Sequence, residues 1–508
     1  VRERLRQHEQ RDQTDRRISR ALAETVAALP EERRAPWSDH VVEVLQVALD
    51  APEVARSRLE AFARAGDDPQ TGGDARAALA FSGWVVGSER AVPHLDAALR
   101  LWEARDLVQA YLASRPEEDR SPLLSQLRTL SWDEGASEEA RRLDPDLVTR
   151  LVRLMPPPRA SALDVRPGEA RILRILDDPN PTPTEYGVLL PPEYHPLRSY
   201  PTVVALHDGK GPLDALEFWG REAARRGFIV IAPEFVLPGP TTDYRYSTSE
   251  HAAVILSLRD ARKRFAIDAD RTFLVGQLLG GNMAWDLALA HPDLFAGAAI
   301  LNGLPAKYIP VTRNHAKTVP IYSVLGELAP GAGDIYFTFA KEQITKNYEF
   351  THVEYQKRGL EELPEEVGPV YDWIEAWRRT TPTSFKCNSC RTCDDRFYGA
   401  VIQEFAEGRT IEPEAVDPLG RNLPKPATIE LSSSSLANLV HYKIDGIRRL
   451  DIWVGPDLID FSRRMEVRVN GKSAFKGLPR LDLEPLLEDL RVRADRQQTY
   501  WMKVSVGR

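Results

Sequence analysis

Cysteine is close to absent from this chain, and the little there is sits in one place. Three cysteines occur in 508 residues, all inside Cys387-Asn388-Ser389-Cys390-Arg391-Thr392-Cys393. So local a set cannot staple distant segments, which excludes the disulfide-framed scaffolds of small secreted proteins. Long apolar runs are missing too. No stretch approaches the ~20 consecutive apolar residues that a membrane-spanning helix needs, so no transmembrane segment is expected. An excess of positive charge is the third absence: 67 Lys and Arg are set against 75 Asp and Glu, mixed along the chain, for a net charge of −8. Without a basic stripe or patch, neither nucleic acid nor an anionic membrane is expected as a partner. The opening residues VRERLRQHEQRDQTDRR are charged where a secretory leader would be apolar. No signal peptide is therefore visible in this chain, and its compartment stays open.

What is there is ample apolar material: 43% of residues are hydrophobic, enough for substantial cores in a chain long enough for two to four domains. Residues 1–158 read as a helical domain, with apolar residues at helical spacing around Val44-Leu45, Val47-Ala48 and Leu101-Trp102. Pro52 and Pro93 stand near helix starts, where a missing N–H costs least. No repeat period is evident, and Pro156-Pro157-Pro158 breaks the pattern. From 165 to 380 strands and helices alternate. Strands are expected at 186–190, 202–206, 228–232, 272–275, 297–301, 321–325 and 350–355. Helices are expected at 213–226, 248–265, 280–291, 335–347 and 367–379. Several strands are near-continuous apolar runs, the mark of a mostly parallel sheet covered by helices on both faces. Residues 381–426 hold connecting strands around the cysteines, and 427–508 form a β-rich domain. Asn470-Gly471 signals a hairpin there, and a helix is expected at 484–493, with Pro485 in its first turn.

The feature richest in chemistry is Thr272-Phe-Leu-Val-Gly276-Gln277-Leu278-Leu279-Gly280-Gly281-Asn282. An apolar strand enters a glycine-flanked turn and leaves as a helix, the layout of a nucleophile elbow. The glycines suit a sharp turn packed against neighbouring backbone. The residue between them stands at the sheet edge, where a helix N-terminus and backbone N–H groups can hold an oxyanion. Here that residue is Leu278, which has neither lone pair nor labile proton. Gln277 and Leu279 are no better as nucleophiles.

The surrounding motifs make this more specific. Leu206-His207-Asp208-Gly209, Gly276-Gln277-Leu278-Leu279-Gly280-Gly281, Gly326-Glu327-Leu328-Ala329 and Lys357-Arg358-Gly359-Leu360 resemble, in order, the oxyanion, nucleophile, acid and histidine motifs of the α/β-hydrolase superfamily. The branch they resemble is that of prolyl-oligopeptidase-like peptidases and small esterases. The tail resembles the C-terminal appendage of such proteins, chiefly at Val454-Gly-Pro-Asp-Leu-Ile-Asp460 and Val467-Arg-Val-Asn-Gly471. The resemblance implies an α/β-hydrolase sheet with a degenerate triad: Leu278, Ala329 and Leu360 stand where serine, acid and histidine are expected. It also implies a former oxyanion and pocket region at His207, Asp208, Gly209, Gln277, Leu279 and Glu327. No cofactor is implied.

Three function classes follow as expectations. One is a pseudoenzyme acting as binding module or scaffold, its two leucines turned into core. Another is a hydrolase or lyase rebuilt on His207, Asp208 and Glu327 around the old pocket, with or without a metal. The third is a structural subunit that meets other proteins through its helical N-terminal or β-rich C-terminal domain. His352 is read as a strand histidine and His315 as a solvated loop residue. Cys387, Cys390 and Cys393 are a weak metal candidate that lacks a fourth ligand unless His441 supplies one, with Asp394 and Asp395 nearer but less suited. They are also read as lying on one strand that spreads the thiols apart.

Overall fold

The computed structural model describes residues 2–131, 142–160, 165–175, 184–236, 243–329 and 333–507. The chain divides into two compact units. One comprises 1–161, 195–198 and 481–492; the other comprises 162–194, 199–480 and 493–508.

The first unit is helical, running from Arg2–Ala27 to Pro145–Leu154. The last of these helices starts as its sequence dictates. Asp144 caps it by accepting from the Leu147 N–H at 2.7 Å, and Pro145 occupies the first turn. Its core includes large aromatic residues: Trp37, Phe81, Trp84 and Trp102 are buried, and the Trp37 and Phe81 rings stack at 4.0 Å. The helix Leu483–Arg493, expected as an interruption of the β-rich tail, forms, and most of it groups with this unit. Tyr111 donates to Glu488 at 2.6 Å, and Arg128 pairs with Asp482 at 2.7 Å.

The second unit holds an eight-stranded sheet: β1 (Arg171–Arg174), β2 (Glu185–Leu189), β3 (Tyr200–Leu206), β4 (Ile229–Pro233), β5 (Ile267–Gln277), β6 (Gly297–Leu301), β7 (Ile321–Gly326) and β8 (Phe350–Tyr355). Their order is β1-β2-β4-β3-β5-β6-β7-β8. β2 runs antiparallel to β1 and β4, and every other pair is parallel. β3, β4, β6 and β7 are buried along their whole length because helices cover both faces. Alternate residues of β3 divide between two cores. Val203 and Ala205 join Trp219 and Tyr371, while Val204 and Leu206 join Leu258 and Met283. This strand order and polarity, with its crossing helices, is the α/β-hydrolase fold. The final helix ends at Ile374 rather than 379. Beyond it Arg379 is clamped at 2.9 Å to Asp270 and 2.7 Å to Asp495.

The rest of this unit is a β-sandwich. A four-stranded sheet pairs β10 (Arg396–Phe397), β11 (Ala400–Phe405), β14 (Ile447–Val454) and β17 (Met502–Val506). A five-stranded sheet pairs β16 (Lys472–Gly477), β15 (Met465–Val469), β13 (Leu439–Asp445), β12 (Ala427–Ser434) and β9 (Ser384–Ser389). Phe385, Ile402, Ile429, Val440, Ile452 and Val467 fill the space between them. Asn470 and Gly471 adopt φ of 49° and 78°, as a type I′ hairpin turn demands. Among the described residues no helix is long and apolar enough to cross a membrane.

Candidate functional site: a hydrolase elbow tipped with leucine

β5 ends at Gln277, the chain turns at Leu278, and the elbow helix runs Leu279–Ala290. Leu278 takes φ 50° and ψ −116°, a conformation that a side chain with a Cβ resists. Its neighbours impose it. The Leu278 N–H donates to Leu301 O at 2.9 Å, and its carbonyl accepts from the Asn282 N–H at 3.0 Å. The glycines are fixed by contact. A Cβ on Gly276 would overlap the Gly280 carbonyl, and one on Gly280 would overlap the Leu206 carbonyl. Gly281 and Gly303 lie back to back with no room for a Cβ on either. The strained turn is therefore intact, and it presents a partly exposed hydrocarbon.

The loops after β7 and β8 are sewn together by backbone. Glu327 N–H donates to Tyr355 O at 2.9 Å and Leu328 N–H to Arg358 O at 2.8 Å. Glu327 accepts the Lys357 N–H at 2.8 Å, so its carboxylate holds the loop after β8. Gly326 packs so tightly that a Cβ would overlap the carbonyls of Arg358 and Gly359.

Asn302, which sequence reasoning missed, ties these loops to β6. It is buried at φ 50°. Its Oδ1 accepts the Gly326 N–H at 3.0 Å and its Nδ2 donates to Glu361 O at 2.6 Å. The available signal was Leu301-Asn302-Gly303 after a strand, because asparagine tolerates a left-handed backbone.

Ala329 is buried, whereas Leu328 is 64% and Leu360 43% exposed. The expectation that both leucines at the motif positions become core is thereby corrected. Leu278 is only half-buried and Leu360 lies open, because backbone bonds and glycine contacts, not their side chains, hold these loops.

The residues offered for a rebuilt site are each committed locally. His207 is buried, accepts the Gly209 N–H at 3.1 Å through Nδ1, and sets Nε2 3.2 Å from Glu234 without hydrogen-bond alignment. Asp208 pairs with Lys210 at 3.0 Å, and Lys210 also meets Glu362. Among the described residues no hydrogen bond joins any two of His207, Asp208 and Glu327. Gln277 is buried with its Oε1 unpartnered.

His352 lies on β8, with Nδ1 2.6 Å from the Tyr336 hydroxyl. His315 is not solvated. It is 1% exposed, donating from Nδ1 to Leu289 O at 2.6 Å and accepting the Asn388 N–H on Nε2 at 2.8 Å. The polar residues around it in sequence concealed that both ring nitrogens are satisfied by backbone. Burial pushes its pKa down to about 4.

The cysteines do not lie on one strand. β9 ends at Ser389, leaving Cys390 and Cys393 beyond it. All three are free, and among the described residues they form no group with ligand atoms close enough to share an ion. His441 instead accepts the Gly471 N–H at 3.3 Å.

No protein-family model matches the chain, and no curated protein matches it. Solved hydrolase structures do match in part. A thermostable esterase aligns at 20% identity over 41% of this chain and 63% of its own, with a TM-score of 0.36. A putative dipeptidyl aminopeptidase IV from Bacteroides ovatus aligns at 14% identity over 41% of this chain and 35% of its own, with a TM-score of 0.36. An S-formylglutathione hydrolase from Agrobacterium tumefaciens aligns at 14% identity over 42% of this chain and 97% of its own, with a TM-score of 0.35. The chain thus spans less than two thirds of the first two. The protein has the α/β-hydrolase fold, an assignment that rests on strand order and the elbow.

Proposed function

We propose that this is a non-catalytic member of the hydrolase superfamily, a binding or assembly module. The observation that carries this reading is hydrocarbon at Leu278, Ala329 and Leu360 inside a frame whose glycines and strained turn persist. Acyl transfer by this fold needs a nucleophile, a base to activate it and an acid to orient the base. None of the three residues can accept or release a proton. Loss of a nucleophile or base alone costs about 10⁶ in turnover. Loss of all three leaves only binding and whatever the backbone N–H groups contribute.

The edge that remains is suited to contact. Ligands of open α/β sheets bind beyond the carboxyl ends of the strands, and there Leu278 and Leu279 are partly exposed and Leu328 and Leu360 exposed. Covering one such leucine contributes up to roughly 1.5–3 kcal/mol. The helical and β-rich regions add further surface for protein partners. Turnover of p-nitrophenyl esters and peptide p-nitroanilides tests the reading. No rate above buffer is expected, and a rate that persists through repurification would overturn it.

A further inference from the structure

A second polar cluster lies in the hydrolase sheet's helical layer, where helix Thr248–Arg264, the end of the elbow helix and the turn after β9 meet. His251, Asp286, His291, Arg391 and Asp394 are each 3% exposed or less. His251 Nδ1 and His291 Nε2 face each other at 3.1 Å, and Asp394 Oδ1 lies 3.9 Å from His251 Nδ1. These three ligand atoms all fall within 4.8 Å of one another. We propose that they form a structural site for a divalent ion of the zinc class, bound by His251 Nδ1, His291 Nε2 and Asp394.

Several observations converge on this. Zinc–nitrogen bonds of about 2.0–2.1 Å put the edge of a tetrahedron at roughly 3.3 Å, close to the spacing of the two ring nitrogens. His251 is backed as metal-bound histidines are. Its Nε2 lies 2.9 Å from Asp286 Oδ2, which fixes the tautomer that leaves Nδ1 free to ligate. Asp286 is itself held by the Tyr244 hydroxyl at 2.6 Å and by Arg391 at 2.8 and 3.1 Å. Asp394 is held in place by Arg391 Nε, which donates to both of its oxygens at 3.2 Å, and by the Cys393 thiol, which donates to Oδ1 at 3.5 Å. Metal-free, His251 Nδ1 and His291 Nε2 meet in a hydrogen bond at 3.1 Å, and the proton of that bond is the competing occupant. The ligands come from three segments distant in sequence, so the ion would pin the turn entering the β-sandwich to the elbow helix.

The test uses the full chain as purified. Elemental analysis is expected to find one zinc-class ion per molecule, and stripping with pyridine-2,6-dicarboxylate is expected to lower the Tm, restored by added zinc. Cobalt reloading should give the visible d–d bands of a site with nitrogen and oxygen ligands, and Asp394→Asn is expected to shift them and to weaken zinc affinity at least tenfold. Absence of metal together with a Tm indifferent to zinc would overturn the site in favour of the shared proton. Bound metal whose spectrum and affinity Asp394→Asn leaves unchanged would overturn the assigned ligand set.

Discussion

Leu278 holds φ 50° and ψ −116° although leucine disfavours that region. Such conformations cost of order 1–3 kcal/mol and persist only when surrounding structure enforces them. Leu278→Gly relieves the strain and Leu278→Ala keeps it, while both lose the same half-buried side chain. The glycine variant is expected to be the more stable by about 1 kcal/mol or more in urea unfolding; an alanine variant of equal or greater stability would show that the turn is unstrained. At this scale the sequence was legible where geometry leaves one residue type, as at Gly276, Gly280 and Gly281. It was silent at Asn302, His315 and the His251–His291 pair, whose roles come from partners tens of residues away that no local pattern reveals.

Among the elements, Asn302 joins the end of β6 to the loops after β7 and β8. Asn302→Ala leaves the buried Gly326 N–H without its acceptor, at a cost of about 1–3 kcal/mol. Faster amide exchange is expected at Gly326 and across 358–361; unchanged exchange there would remove Asn302 from this role. His315 links the segment after the elbow helix to β9, and its pKa stands at about 4 against an ordinary 6.5. The unfolded chain therefore binds a proton between pH 6.5 and 4 that the folded chain refuses. The stability carried by the neutral ring is complete above pH 6.5 and is lost as pH falls through that window, by on the order of 3 kcal/mol. Unfolding free energies measured across this range should fall more steeply in the native chain than in His315→Gln; parallel slopes would contradict the assignment. Strands β3, β4 and β6 could be read from near-continuous apolar runs. β1 could not, because Arg-Ile-Leu-Arg has exposed ends and only partly buried centre residues at the sheet's edge, so no such run marks it.

Over the whole molecule, fold class was legible because strand–helix alternation and the elbow constrain topology strongly. Unit membership was less so. The helix beginning at Leu483 has an ordinary helical pattern, and nothing local says that it groups with helices more than 300 residues earlier rather than with the strands beside it. What the molecule does turns on whether the retained frame has any chemistry left. The most direct measurement is covalent labelling of the native full-length chain by a fluorophosphonate, with an active serine hydrolase in the same reaction. The control is expected to label to completion while this chain acquires no adduct in intact-mass spectra. A stoichiometric adduct on one residue of this chain, lost when it is unfolded first, would contradict the account.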